Sequence, residues 1–567
     1  MAGNPVLSVE HSRTFGLASR RSIHAAALIA ATVSVVWLAG IYRESLYPDF
    51  PLDAYTTSDG RILIEAFGHL SLGVIALLIA SLLFINWRSW NPGLRFIWCV
   101  ASAPVIWSVI TEAPGMYSTS FPFDRLALLL VWGASIRLPI FSPLTIVIAH
   151  AISFEEFYPI LQTAGWTDRY LNYNLMVVIV ALQVVSNIGA LITREHEPTS
   201  SDPLKLRSAE PLGIALSGNL VARSVSNVLT SLSWRDSVVF GIVATHYIVP
   251  GINKIRIGWF TEQELKFSLF AKVAQGWIAT DANSLGYLGR VVDSVNPLLL
   301  TAVLVMEVGA VCLFFPRLRF PWLLILITLH IGIFLATGIL FWKWMFVDGG
   351  LALYVVITRR RNKSRSDKRD TLLPALAAAL TCATAFVYLP IPPLAWIDTR
   401  YQYVYELETI SSTGQIQELH WSNFRRHDLF FGSHRLHFLL DGPHADPRRV
   451  RGSEWSIDGF RSIDSMNMWH SKFGRNYSNP QLRDAFDSLV RKHFTNCRFT
   501  SLDNKTALEA FKINHFYMWP SRPPPTGPVE YVTVRRTLLD LDKSPAAWKV
   551  QRELVHRVPI CPAPVDG

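Results

Sequence analysis

The chain is poor in charge. Only 17% of its 567 residues are Asp, Glu, Lys or Arg, against about a quarter in an ordinary soluble protein. With half of the residues hydrophobic, that shortage argues against the several soluble domains that length alone suggests. Cysteine is scarce as well. The five residues show neither zinc-ligand spacing nor a Cys-x-x-Cys pair, so no cysteine-built metal or redox motif is expected. Cys99, Cys312 and Cys382 fall in apolar stretches and read as small packing residues. Cys497 and Cys561 lie in polar surroundings and can pair if they meet an oxidising compartment. No inverted repeat is visible, which counts against a two-halved secondary transporter. The first apolar segment lacks a small-residue cleavage site and reads as an uncleaved anchor.

What the chain has is long apolar blocks. About 20 mostly apolar residues are needed to cross a bilayer as a helix. Ile23–Tyr42, Ile62–Trp87, Phe96–Thr111, Leu175–Thr193, Ser237–Ile257, Pro297–Phe315 and Pro321–Phe341 qualify, and Met345–Thr358 and Leu372–Leu389 are shorter but bounded by charge. The net charge of +10 does not point to nucleic acid, because the basic residues cluster between these blocks, as the positive-inside rule expects. Leu126–Phe154 is interrupted at Arg137-Leu-Pro139 and Pro143, and reads as a broken or re-entrant hairpin. With that choice Arg88, Arg95, Arg194, Arg317, Arg319 and Arg359–Arg361 all fall on the cytoplasmic side with the N-terminus. The expectation is a polytopic α-helical membrane bundle of about nine spans. Residues 1–22 would be cytoplasmic, 23–389 the helical domain, and 390–567 an extracytoplasmic domain. Glu262–Val292 reads as an amphipathic interfacial stretch on the outer face, and Leu212–Leu232 as a weaker one inside.

The C-terminal part has a soluble pattern. Tyr401–Thr409 alternates, Ser411–Gly414 turns and Gln415–Trp421 resumes, which is a hairpin signature. Gln481–Phe494 carries apolar residues at helical spacing, and Glu530–Arg535 reads as a strand. A small α+β domain follows. Its histidines, His420, His427, His434, His437 and His444, show no ligand spacing and read as a solvated polar face; no metal is expected.

Ionisable residues inside apolar segments are costly and become functional candidates: Glu65, His69, Arg137, His150, His246, Lys254, Glu307 and His330. Glu65 and His69 share a helix face, as a proton-handling pair or as a packing pair. Glu307 sits in mid-segment and needs a partner, with His246 and His330 the candidates. Lys254 follows Pro250-Gly251, which predicts a broken helix there. Desolvation would favour a neutral amine able to act as a base; the alternative is a lysine snorkelling to the outer interface beside Arg256.

Around this lysine, Tyr247-Ile-Val-Pro-Gly251-Ile-Asn-Lys254-Ile with Trp259 after it resembles the vitamin K-dependent gamma-carboxylase-like family, including its bacterial horizontally transferred transmembrane group. Leu329-His330-Ile-Gly-Ile-Phe, Gly338-Ile-Leu-Phe-Trp-Lys-Trp and the Met306-Glu307 helix extend the likeness over about residues 233–358. Asn253 stands where the family has a second lysine, and Pro250 where it has alanine. The resemblance implies Lys254 as the base toward a reduced, vitamin K-like quinone. His330, His246 and Glu307 would position quinone or oxygen, and Tyr247 and Trp259 would bind the cofactor. A protein or peptide substrate, a lipid bilayer and a carboxylase or quinone-linked oxidoreductase activity are implied with them. The alternative from the residues is a transport, maturation or immunity-type membrane protein whose buried charges only fix packing.

Overall fold

The computed structural model describes residues 25–41, 78–79, 83, 85, 90–111, 122–152, 170–195, 232–391 except 263, 279, 338–339 and 363–371, and 400–561 except 428–430, 433–435, 442, 445–461, 474, 477, 479 and 501–521. Most of Ile62–Trp87, including Glu65 and His69, and nearly all of Leu212–Leu232 lie outside the described residues.

The helical part comprises α1 (Ala25–Ile41), α2 (Pro92–Thr111), α3 (Pro122–Arg137), α4 (Pro139–Ile152), α5 (Tyr170–Glu195), α6 (Leu232–Arg256), α7 (Trp259–Glu262), α8 (Leu265–Ala274), α9 (Ala282–Val308), α10 (Arg319–Thr337), α11 (Trp342–Asn362) and α12 (Leu372–Tyr388). Among the described residues, five helices are long and apolar enough to cross a membrane: α2, α5, α6, α9 with its 3-10 extension to Phe314, and α10. In α9 and α10 only 33% and 28% of the apolar window is buried. Such long apolar faces turned outward suit a hydrocarbon solvent.

Side-chain contacts fix the helix directions. Trp234 of α6 donates to Thr32 of α1 at 3.0 Å, whereas Gly40 of α1 meets Tyr388 of α12 and Gly241 of α6 meets Ala378 and Thr381. Asn174 Nδ2 then reaches both His246 and the Pro390 carbonyl, so α1, α6 and α12 run parallel. Helix α11 runs against α6, with Trp344 beside Tyr247 and Tyr354 hydrogen-bonded to Asp236. The end of the bundle holding Lys254 is here called the lysine end.

The segment between α2 and α5 is broken at Leu138, as its prolines require. Arg125 of α3 donates to the Ile110 carbonyl, Trp132 bonds Ser102, and Ser135 receives Trp98 and Trp90, so α3 runs antiparallel to α2, away from the lysine end. Helix α4 returns, bringing His150 against Tyr173 at the start of α5. The hairpin leaves the chain at the end where it entered.

One sequence expectation is corrected here. Helix α6 is continuous through Pro250-Gly251: proline removes a single helix hydrogen bond, and Gly251 packs closely on Val308 and Glu307 of α9. The stretch Glu262–Val292 holds more than one element. Its first part forms α8, but Asp281 caps a new helix by accepting from Asn283 and Ser284 N–H groups, and that helix runs on through Pro297.

The C-terminal part forms a four-stranded antiparallel sheet in the order β2-β1-β3-β4, from β1 (Tyr401–Ile410), β2 (Ile416–Glu418), β3 (Tyr531–Asp540) and β4 (Lys549–Pro559), with two short two-stranded ladders beside it. The β1–β2 turn closes with Ser411 N–H on the Gln415 carbonyl, and Gly414 takes φ +78°, a conformation that favours glycine. Helix α13 (Pro480–Lys492) buries Leu482, Phe486, Leu489 and Val490 with Val532, Val534 and Val558. A disulfide joins Cys497 and Cys561.

This domain is docked on the lysine end. Phe267, Leu269, Ala271 and Leu285 of α8 and α9 share a core with Val404, Leu539, Leu541 and Trp548. Trp277 donates to the Gly432 carbonyl at 2.8 Å, and Trp421 to the Gln275 carbonyl at 2.9 Å.

Candidate functional site

Tyr247, Gly251 and Lys254 lie at i, i+4 and i+7 of α6, on one face. That face meets α9, α10 and α11. At Gly251 a β-carbon would come within 2.9 Å of Val308 Cγ2 and 3.2 Å of Glu307 Cβ. The missing side chain therefore sets the closeness of the α6–α9 crossing. One turn further, Lys254 Nζ lies 2.5 Å from Glu307 Oε1, with the two side chains 8% and 6% exposed. Lys254 is turned into the protein and does not snorkel outward. Its ammonium also lies 5.4 Å from the Trp259 ring, and Trp259 packs with Leu300 and Leu304 on the Glu307 face of α9.

Two turns back, about 10 Å along the axis, Tyr247 forms a second cluster. Its hydroxyl donates to Asp348 Oδ2 at 2.5 Å and lies 2.8 Å from His330 Nε2. Trp344 stands edge-on to Tyr247 and His330 at 5.2 and 5.6 Å, and both Asp348 and His330 are buried.

The sequence candidates are thus only partly brought together. Lys254, Glu307 and Trp259 form one group; Tyr247 and His330 form the adjacent one. Glu307 pairs with Lys254, not with His246 or His330 as expected, because the Gly251 crossing turns Glu307 toward the end of α6. His246 points elsewhere. Its Nδ1 bonds the Ile242 carbonyl at 2.9 Å and its Nε2 meets Asn174 Nδ2 at 3.0 Å, so both ring nitrogens are occupied by protein. His150 stacks edge-on against Tyr173, and Arg137 is exposed at the end of α3. Asp348, Asn174 and Trp344 were not singled out from the sequence. Asp348 meets the criterion applied to the others, an ionisable group in an apolar segment.

Among the described residues, four buried polar atoms in these clusters have no hydrogen-bond partner: Glu307 Oε2, Trp259 Nε1, His330 Nδ1 and Asp348 Oδ1. Buried polar atoms are nearly always satisfied, so each of these open atoms offers a place for a polar ligand group or water. Among the described residues no group of three His, Cys, Asp or Glu side chains is arranged to hold a metal ion.

In the C-terminal domain, Arg400 grips Asp540 at 2.6 and 2.9 Å and holds its carboxyl below the usual range. Burial, with Arg522 adding to it, lowers His420 to about 4. These features hold the domain together.

None of the protein-family models, curated proteins or solved structures compared with the chain matches it.

Proposed function

We propose that the chain is a multi-pass membrane enzyme that takes a proton from a reduced quinone, as a quinone-linked carboxylase or oxidoreductase, with the Lys254–Glu307 pair as its base. The observation that carries this reading is the buried pair with Glu307 Oε2 and Trp259 Nε1 left open beside it. An amine and a carboxyl 2.5 Å apart hold a proton between them, and the free carboxyl oxygen has room for a second. The unit accepts one hydroxyl proton, which leaves the quinol as its anion. Trp259 offers an indole N–H to the quinol oxygen and a flat wall to its ring. The apolar surroundings keep water away and strengthen each of these interactions. The sequence likeness over about residues 233–358 supports the same choice of base.

The outward faces of α9 and α10 support placement in a membrane. The basic clusters favour a cytoplasmic N-terminus. The Cys497–Cys561 bond favours an oxidising compartment for the C-terminal domain, and that domain shares the lysine end. A cell-membrane location with the C-terminal domain outside follows from these arguments.

A second reading is favoured by the Gly251 contact: the ion pair could serve only to lock α6 to α9 in a non-enzymatic transport, maturation or immunity-type protein. The two are separated by following oxygen-dependent oxidation of a reduced naphthoquinone by the purified protein. The enzyme reading expects turnover that Lys254→Ala abolishes while the protein still inserts and folds. Equal rates in the two proteins would sink it, and an alanine protein that misfolds would favour the packing role.

A further inference from the structure

We infer that His330, Tyr247 and Asp348 form a one-proton relay, separate from the Lys254–Glu307 pair, that is loaded at His330 Nδ1 and stores its proton on Asp348. The available protons decide which atoms donate. Tyr247 has one hydroxyl proton and two near neighbours, Asp348 Oδ2 at 2.5 Å and His330 Nε2 at 2.8 Å. When the tyrosine donates to Asp348, its oxygen must accept from His330, so the imidazole carries its proton on Nε2 and Nδ1 is a bare acceptor. When Asp348 is protonated it donates to the tyrosine, which then donates to Nε2, and the imidazole carries its proton on Nδ1. The heavy atoms need not move between these two arrangements, which differ by one proton.

The transfer balances. A proton arriving at Nδ1 forms a new N–H bond, the Nε2–H bond breaks as that proton passes to the tyrosine oxygen, and the tyrosine's own proton passes to Asp348. The histidine ends neutral with its tautomer exchanged, the tyrosine is unchanged, and Asp348 becomes a neutral acid. The open end is visible: among the described residues His330 Nδ1 has no partner, and neither does Asp348 Oδ1 at the far end. Trp344, edge-on to both Tyr247 and His330, and Phe341, 5.6 Å from the imidazole, hold the rings in place. The group that loads the relay is one presenting a hydroxyl proton to Nδ1. The titratable neighbours are Lys254 on α6 and Glu307 on α9, whose charges act on His330 and Tyr247, and His246 on α6, which packs on the same Trp344 ring.

The test needs no ligand and no activity, so its failure is distinguishable from failure of the quinone reading. The full chain in lipid nanodiscs is titrated with pH while two signals are followed. One is the infrared band of the neutral Asp348 acid, assigned by its loss in Asp348→Asn. The other is the His330 tautomer, from isotope-labelled histidine and assigned with His330→Gln. The relay predicts one common midpoint for the Asp348 band and the shift of the proton from Nε2 to Nδ1. In Tyr247→Phe the two signals separate. If that variant does not fold, Asp348→Asn serves instead and must hold His330 in a single tautomer throughout. Protonation of Asp348 with no tautomer change in the wild type overturns the relay, as does a common midpoint that survives Tyr247→Phe or a tautomer switch that survives Asp348→Asn.

Discussion

Replacing Glu307 with leucine leaves the Lys254 ammonium buried with no opposite charge. Both side chains are less than a tenth exposed and the bond is 2.5 Å long, so water does not replace the lost carboxylate without opening the α6–α9 crossing. Removing one partner of a buried ion pair costs about 3–5 kcal/mol, whereas replacing both by apolar groups of similar volume is often near neutral. The expected pattern is therefore specific. Glu307→Leu and Lys254→Met each lose about 3–5 kcal/mol. The double variant returns to within about 1 kcal/mol of the wild type. The assay is reversible unfolding in mixed micelles with added dodecyl sulfate, followed by tryptophan fluorescence and arranged as a double-mutant cycle. A Glu307→Leu protein as stable as the wild type would refute the claim that the pair is buried and coupled. So would a double variant as unstable as the sum of the two singles.

Gly251→Val should cost about 1–3 kcal/mol through overpacking against Val308 and Glu307, measured in the same unfolding assay. Cys497→Ser opens a loop of 64 residues and should destabilise the C-terminal domain by about 2–4 kcal/mol, read from its proteolysis with and without reductant. His420 is lowered to about 4 in the folded domain, so the unfolded chain binds more protons below its ordinary value of about 6.5. Stability should fall as pH drops from 6.5 toward 4, by about 3 kcal/mol at most, and level off below. His420→Asn should flatten that slope, as melting curves against pH will show. A reporter fused after Arg369 should read out as cytoplasmic; an external signal would overturn the proposed orientation.

The apolar blocks marked the helices because burying backbone in hydrocarbon demands long apolar runs, and Lys254 stood out because a charge in such a run is costly. Its partner did not. Sequence gives depth along a helix but not the angle at which a neighbour crosses, and it is the crossing at Gly251 that turns Glu307 to Lys254. Pro250-Gly251 read as a break because both residues disfavour helix, yet close packing by α9 overrides that local preference. Asp348 was overlooked although it lies in a recognised apolar segment, since its importance comes only from Tyr247, a hundred residues away. Strand β4 gave no clear signal: most of its residues are exposed and its sequence, Lys-Val-Gln-Arg-Glu-Leu, lacks a buried alternating face. The β1–β2 hairpin was plain because its turn residues and alternation act locally.

The central claim, that the Lys254–Glu307 pair deprotonates a quinol, is tested most directly without oxygen. A reduced naphthoquinone is bound anaerobically to the purified protein and its absorption spectrum recorded. The account predicts the spectrum of the quinol anion in the wild type and that of the neutral quinol with Lys254→Ala and Glu307→Gln. A neutral quinol bound to the wild type, or the same anion spectrum in all three proteins, would contradict it.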